Sequence, residues 1–90
     1  MSYEQSEQLV KNHISNTEDL FTFKGFDFGD KSWRGYISEE IEIDEGECLF
    51  FDGNVYFSID SDGIIEYVEI EKINDFEHFD KDGESIQKFN

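Results

Sequence analysis

Residues 39–47 read Glu39-Glu40-Ile41-Glu42-Ile43-Asp44-Glu45-Gly46-Glu47. Successive side chains of a strand point to opposite faces. The spacing therefore predicts a strand with Glu40, Glu42 and Asp44 on one face and Ile41 and Ile43 on the other. One face is apolar and suits a core; the other is a row of carboxylates. Outward from this segment, the run Gly35–Glu71 contains neither Lys nor Arg. Its twelve acids are Glu39, Glu40, Glu42, Asp44, Glu45, Glu47, Asp52, Asp60, Asp62, Glu66, Glu69 and Glu71.

The whole chain has 90 residues and a formal charge of −16. That size predicts a single small acidic domain, residues 1–90, with a thin core. The ten Phe supply enough apolar surface to fold, unlike an acidic disordered tail, which is poor in aromatics. The charge is uneven. Residues 1–38 carry six acids and four bases, a net of −2; residues 39–90 carry seventeen acids and three bases, a net of −14. Phosphate contacts need Lys and Arg, so direct binding to nucleic acid or to an anionic membrane is not expected. A basic protein or a cation is the favoured partner. No apolar run approaches the length of a membrane span. The start, Met-Ser-Tyr-Glu-Gln-Ser-Glu, lacks a basic region and an apolar stretch, which predicts a cytoplasmic location. Cys48 is the one cysteine. Beside Leu49 and Phe50 it reads as a buried, inert thiol.

The expected fold is α+β, an N-terminal helix packed on an antiparallel sheet of about five strands joined as a meander. Ser2 and Gln5 form a capping-box pattern. Behind it Tyr3, Leu9, Val10, His13 and Ile14 share a helical stripe, predicting a helix over Tyr3–Ile14. Leu20–Phe28 alternates as a strand, with a bulge or kink at Lys24-Gly25 where the phase slips. Trp33–Ile37 reads as the next strand, which Glu40–Asp44 continues or pairs with. Asp44–Glu47 is a turn. Asp52-Gly53-Asn54 carries a hairpin signal between two aromatic runs, Cys48–Phe51 and Val55–Ile59. Asp60–Gly63 is a further turn, and Ile64–Glu71 leaves it as a strand. Residues 73–89 fit either a short helix or a last hairpin through Asp80-Lys81-Asp82-Gly83. The two Asp-x-Asp-Gly segments suggest one turn chemistry used twice.

Motifs for chemistry are weak. Ser58–Glu69 places Asp60, Asp62 and Glu69 at three ligand positions of a calcium-binding loop, with Gly63 at the glycine position. Ser58 stands where a carboxylate is required, and the incoming segment is strand-like, so a hairpin turn is the stronger reading. His13, His78 and Cys48 match no zinc spacing. Near its acidic neighbours, His78 reads as one half of a surface ion pair. Acids are too numerous for any pair to stand out as a glycosidase couple, and no nucleophile pattern or phosphate-cradling loop is present. A non-enzymatic role follows. Trp33-Arg34-Gly35-Tyr36 is the one aromatic-basic cluster. It reads as core plus a solvated Arg34, or as an interface hot spot.

Function is therefore expected from charge. Alternate residues along a strand lie about 6.7 Å apart, a spacing on the scale of successive phosphates. In size, acidity and fold class the chain resembles the phage-encoded DNA mimics: anti-restriction, anti-CRISPR and uracil-glycosylase inhibitor proteins. The resemblance implies an inhibitor acting in the host cytoplasm on a DNA- or RNA-binding or -cleaving protein, without a cofactor. It also resembles immunity proteins that cover a basic nuclease toxin. Neither resemblance rests on a shared motif. The residues expected to carry binding are Glu39, Glu40, Glu42, Asp44, Glu45 and Glu47, then Asp60, Asp62, Glu66, Glu69 and Glu71. Trp33 and Arg34 are expected as further contacts. A calcium-binding or generic acidic interaction module is the remaining expectation.

Overall fold

A computed structural model describes residues 1–16 and 31–89. Helix α1 spans Tyr3–Ser15. Its start is fixed by the expected capping box: Ser2 Oγ accepts from the Gln5 N–H at 3.1 Å, and the Ser2 N–H donates to Gln5 Oε1 at 2.9 Å. Both bonds satisfy amides that the first turn otherwise leaves unpaired. One face buries Ser6, Val10 and Ile14 at the i, i+4, i+8 spacing that places side chains in a single stripe.

Four antiparallel strands follow: β1 Ser32–Asp44, β2 Glu47–Ile59, β3 Ile65–Phe79 and β4 Ser85–Lys88. Their order in the sheet is β1-β2-β3-β4, so consecutive strands are neighbours throughout. Helix α1 lies across one face, against β3 and β1. This is the expected α+β arrangement, with four strands among the described residues where about five were expected. The strand expected over Leu20–Phe28, with its kink at Lys24-Gly25, lies outside the described residues.

Between sheet and helix sits an apolar layer. Ile37 and Ile41 from β1, Leu49, Phe51, Val55, Phe57 and Ile59 from β2, and Phe76 from β3 meet Val10 and Ile14 of α1. Phe51 and Phe76 pack edge to face at 5.7 Å, and Trp33 stacks on Phe57 at 5.3 Å. Phe51, Phe57 and Phe76 are fully buried, each contributing about 2–3 kcal/mol from removal of apolar surface from water.

One expectation is corrected, and two open alternatives are decided. Asp52-Gly53-Asn54 is not a turn. It lies in the middle of β2, which runs unbroken for 13 residues. At Gly53 a Cβ would fall 2.2 Å from the Lys72 carbonyl oxygen and 3.0 Å from Phe51 Cζ. Glycine is there because β3 approaches too closely for any side chain. Likewise Trp33–Ile37 and Glu40–Asp44 are halves of one strand, β1. The C-terminal section is the hairpin, not the helix: β3 continues to Phe79 and turns through Asp80–Gly83 into β4.

The recurrent turn is real. Asp60 Oδ1 accepts from the Asp62 and Ile64 N–H groups at 2.9 and 3.0 Å, and Asp80 Oδ1 accepts from Asp82 and Glu84 at 2.9 Å each. Gly63 and Gly83 have φ of 82° and 84°, the left-handed region glycine enters at least cost.

Candidate protein-docking face

The face of the sheet away from α1 is set by register. On β1 it takes Arg34, Tyr36, Ser38, Glu40 and Glu42; across from them on β2 stand Tyr56, Asn54, Asp52, Phe50 and Cys48, and at the end of β1 the register shifts so that exposed Asp44 pairs with Glu47. On β3 the regular alternation is broken three times. Pairing skips Glu66, Glu71 and Asn74, each an extra residue opposite a register shift. Bulges of this kind switch which residues face out and tighten the strand's twist. After them, Tyr67, Glu69, Lys72, Asp75, Glu77 and Phe79 share the outer face. Six carboxylates (Glu40, Glu42, Asp52, Glu69, Asp75 and Glu77) thus stand among Arg34, Lys72 and Lys88. No described element covers them.

The expected binding residues therefore separate. Glu40, Glu42, Glu69 and Arg34 share the outer face, and Asp44 is exposed at the end of β1, past a register shift. Glu66 and Glu71 are bulge residues at its solvent side, and Glu71 reaches over it to Arg34. Glu45, Asp60 and Asp62 lie in turns, where Asp60 is engaged by backbone amides. Glu39 and Trp33 belong to the helix side, opposite Phe51 and Phe57. Glu47 also lies on that side, 3.0 Å from His78 Nε2. His78 is 8% exposed, so its contact with Glu47 lies on the inner side and not at the surface as expected. The calcium-loop reading fails on context: β2 and β3 flank the Asp60–Gly63 turn where that motif needs helices. Glu69 stands opposite Tyr56 in the sheet. Among the described residues, no three His, Cys, Asp or Glu side chains converge as a metal site, and no helix is long and apolar enough to cross a membrane.

Asp52, Asp75 and Glu77 were not singled out from the sequence. Asp52 was assigned to a turn, and the register of β3 depends on bulges. Asp52 and Asp75 are direct cross-strand partners, an arrangement in which like charges repel. Asp75 Oδ1 is shielded from water without a hydrogen bond, and its nearest cation, Lys88 Nζ, is 4.0 Å away. The face also carries aromatics. Tyr36 and Tyr67 are each 51% exposed, and Phe50 and Tyr56 are half-buried.

At three of its groups the surroundings disfavour further negative charge. A hydrogen bond to Asp52 and partial desolvation push the Tyr36 phenol above its usual range. The charge of Glu69, then desolvation, does the same at Tyr67. Cys48, expected in the core, is half-buried on this face. Desolvation and the charges of Glu40 and Glu42 push its thiol up, which disfavours the reactive thiolate. Beside it, where the β1–β2 and β3–β4 turns meet, a recess of about 310 Å³ is lined by Glu40, Cys48, Phe79, Asp80 and Lys81.

One cation is already held here. Arg34 Cζ lies 5.0 Å from the Tyr56 ring centre, and Arg34 Nε donates to Glu71 Oε1 at 2.8 Å. The face can thus bind a guanidinium by stacking and by carboxylate pairing together. The chain matches no family model, no curated protein and no solved structure.

Proposed function

We propose that the protein is a non-enzymatic inhibitor that presents its outer sheet face as a substitute for a nucleic-acid backbone and so blocks a basic DNA- or RNA-binding or -cleaving protein. The observation that carries this reading is the joining of acids from three strands, β1, β2 and β3, on one uncovered face. Neighbouring residues on one face are about 6.7 Å apart along a strand and strands about 4.8 Å apart, so the carboxylates form a fixed two-dimensional array. A rigid array of this spacing steers Lys and Arg side chains in and then pairs with them. A disordered acidic tail does only the first.

A second reading is favoured by the aromatic residues on the same face. Tyr36, Phe50, Tyr56 and Tyr67 are of the type that anchors protein interfaces, which suits an immunity protein seated on a nuclease toxin. Both readings need a basic partner. They differ in whether nucleic acid competes by occupying the same site and in whether a toxin gene lies beside this one.

The test is retention of host proteins on the immobilised chain at low salt, followed by displacement with double-stranded DNA or with RNA. Nucleic-acid-binding proteins should be retained, released by one of the two polymers, and released again as salt rises. Simultaneous Glu40→Lys, Glu42→Lys and Asp44→Lys should abolish retention. Retention that survives this reversal, or that neither polymer displaces, would overturn the mimic.

A further inference from the structure

We infer that the row Glu40–Phe50–Glu77 is a receptor for an arginine side chain of the basic partner, selective for arginine over lysine. The inference rests on the reading of this face as a docking surface for a basic protein and specifies how that protein is held. Glu40, Phe50 and Glu77 are direct cross-strand partners on β1, β2 and β3. The two carboxylates thus flank the ring with backbones about 10 Å apart, twice the strand spacing. Phe50 is half-buried, so part of it remains open to solvent. Three rows away the same chemistry is already occupied: Arg34 lies over Tyr56 and pairs with Glu71. The Glu40–Phe50–Glu77 row repeats that ring-and-carboxylate pairing with no guanidinium of this chain on it; the lysines beside it are Lys88, the cross-strand partner of Glu77 with its Nζ 4.0 Å from Asp75, and Lys81, which lines the recess next to Glu40.

Arginine fits such a site better than lysine. A guanidinium is planar and weakly hydrated, so it stacks on the ring while its edge N–H groups reach a carboxylate on either side. An ammonium pairs with one carboxylate and keeps its water. A nucleic-acid-binding protein that grips phosphate through arginine would find both elements here, the charge of the phosphate and a stacking plane in place of a base.

The experiment compares a short Arg-Ser repeat peptide with a Lys-Ser peptide of equal length and charge, titrated into the intact protein by calorimetry and by amide and aromatic NMR. The Arg peptide should bind roughly two- to fivefold more tightly, the factor expected for one exposed cation–π contact. It should shift the Phe50 ring signals and the Glu40 and Glu77 amides. Phe50→Leu should reduce the preference to parity while leaving salt-dependent binding of both peptides. If that variant unfolds, the Phe50 ring shifts in the native protein decide. Equal binding of the two peptides, or arginine preference that persists in Phe50→Leu, or no shift at Phe50, overturns the receptor. Equal, salt-sensitive binding would leave the nucleic-acid mimic standing, because that reading is judged by competition and by the β1 charge reversal.

Discussion

Replacing Gly53 with Ala tests whether the close approach of β3 to β2 beneath the docking face leaves no room for a side chain. The added methyl would lie 2.2 Å from the Lys72 carbonyl oxygen, 3.0 Å from Phe51 Cζ and 3.2 Å from Ile73 Cα. The first obstacle is backbone, and β2 and β3 are bonded on either side of it, so neither strand moves away alone. Phe51 is fully buried and cannot swing aside. Overpacking of this kind costs about 1–3 kcal/mol, and a backbone obstacle belongs at the upper end. Loss of glycine's freedom in the unfolded chain offsets about 0.4–1 kcal/mol. The net loss should be about 2 kcal/mol. For a domain of this size, whose total stability is on the order of 5–13 kcal/mol, Tm should fall by roughly 8–16 °C. Urea unfolding followed through Trp33, which stacks on Phe57, measures it. Gly83→Ala is the comparison: its φ is +84° but nothing lies within 4 Å of the added methyl. There only the left-handed backbone is penalised, by about 1 kcal/mol. A Gly53→Ala loss under about 0.5 kcal/mol, or one smaller than that of Gly83→Ala, would refute the steric account.

Two other perturbations probe the two faces of the sheet. Because Asp52 accepts from the Tyr36 phenol, the folded state holds that proton more tightly than the unfolded chain does. Its contribution to stability is therefore fully present below about pH 10 and is lost as pH rises through the higher folded value. Asp52→Ala should bring Tyr36 back toward pH 10, read by phenolate absorbance; an unchanged titration would show that the hydrogen bond is not the cause. On the inner face, Glu47→Ala removes the partner 3.0 Å from a nearly buried His78. It should cost about 1 kcal/mol in urea unfolding, and a neutral result would mean that water replaces the carboxylate.

How far these features could be read in the sequence depends on whether the local pattern and the packing ask for the same thing. At α1 they do: the Ser2–Gln5 box and the Val10–Ile14 spacing fix both the start of the helix and its buried face. At Asp60–Gly63 and Asp80–Gly83 they do again, because each aspartate closes its own turn. At Asp52-Gly53-Asn54 they conflict. Local chemistry favours a turn, but the apolar phase Leu49, Phe51, Val55, Phe57, Ile59 runs through Gly53 without a slip. A strand buried on one face obeys that phase, and ten residues of matched burial outweigh three of turn propensity. The phase was the signal available in the sequence. No such signal marks Glu66, Glu71 and Asn74, since a bulge is visible only once a partner strand shows which residue is skipped. The docking face inherits this division. Its β1 half was legible because Glu40, Glu42 and Asp44 alternate strictly with Ile41 and Ile43. Its β3 half is less legible, because outward Lys72 and inward Ile73 interrupt the alternation between Glu69 and Asp75. The skips at Glu71 and Asn74 cancel in phase: inward Phe76 and outward Asp75 and Glu77 keep the alternation of Val68, Glu69 and Ile70, and only outward Lys72 and inward Ile73, between the skips, are reversed. The core demands of Phe76 thus fix where the carboxylates point, and the face is as rigid as the packing beneath it.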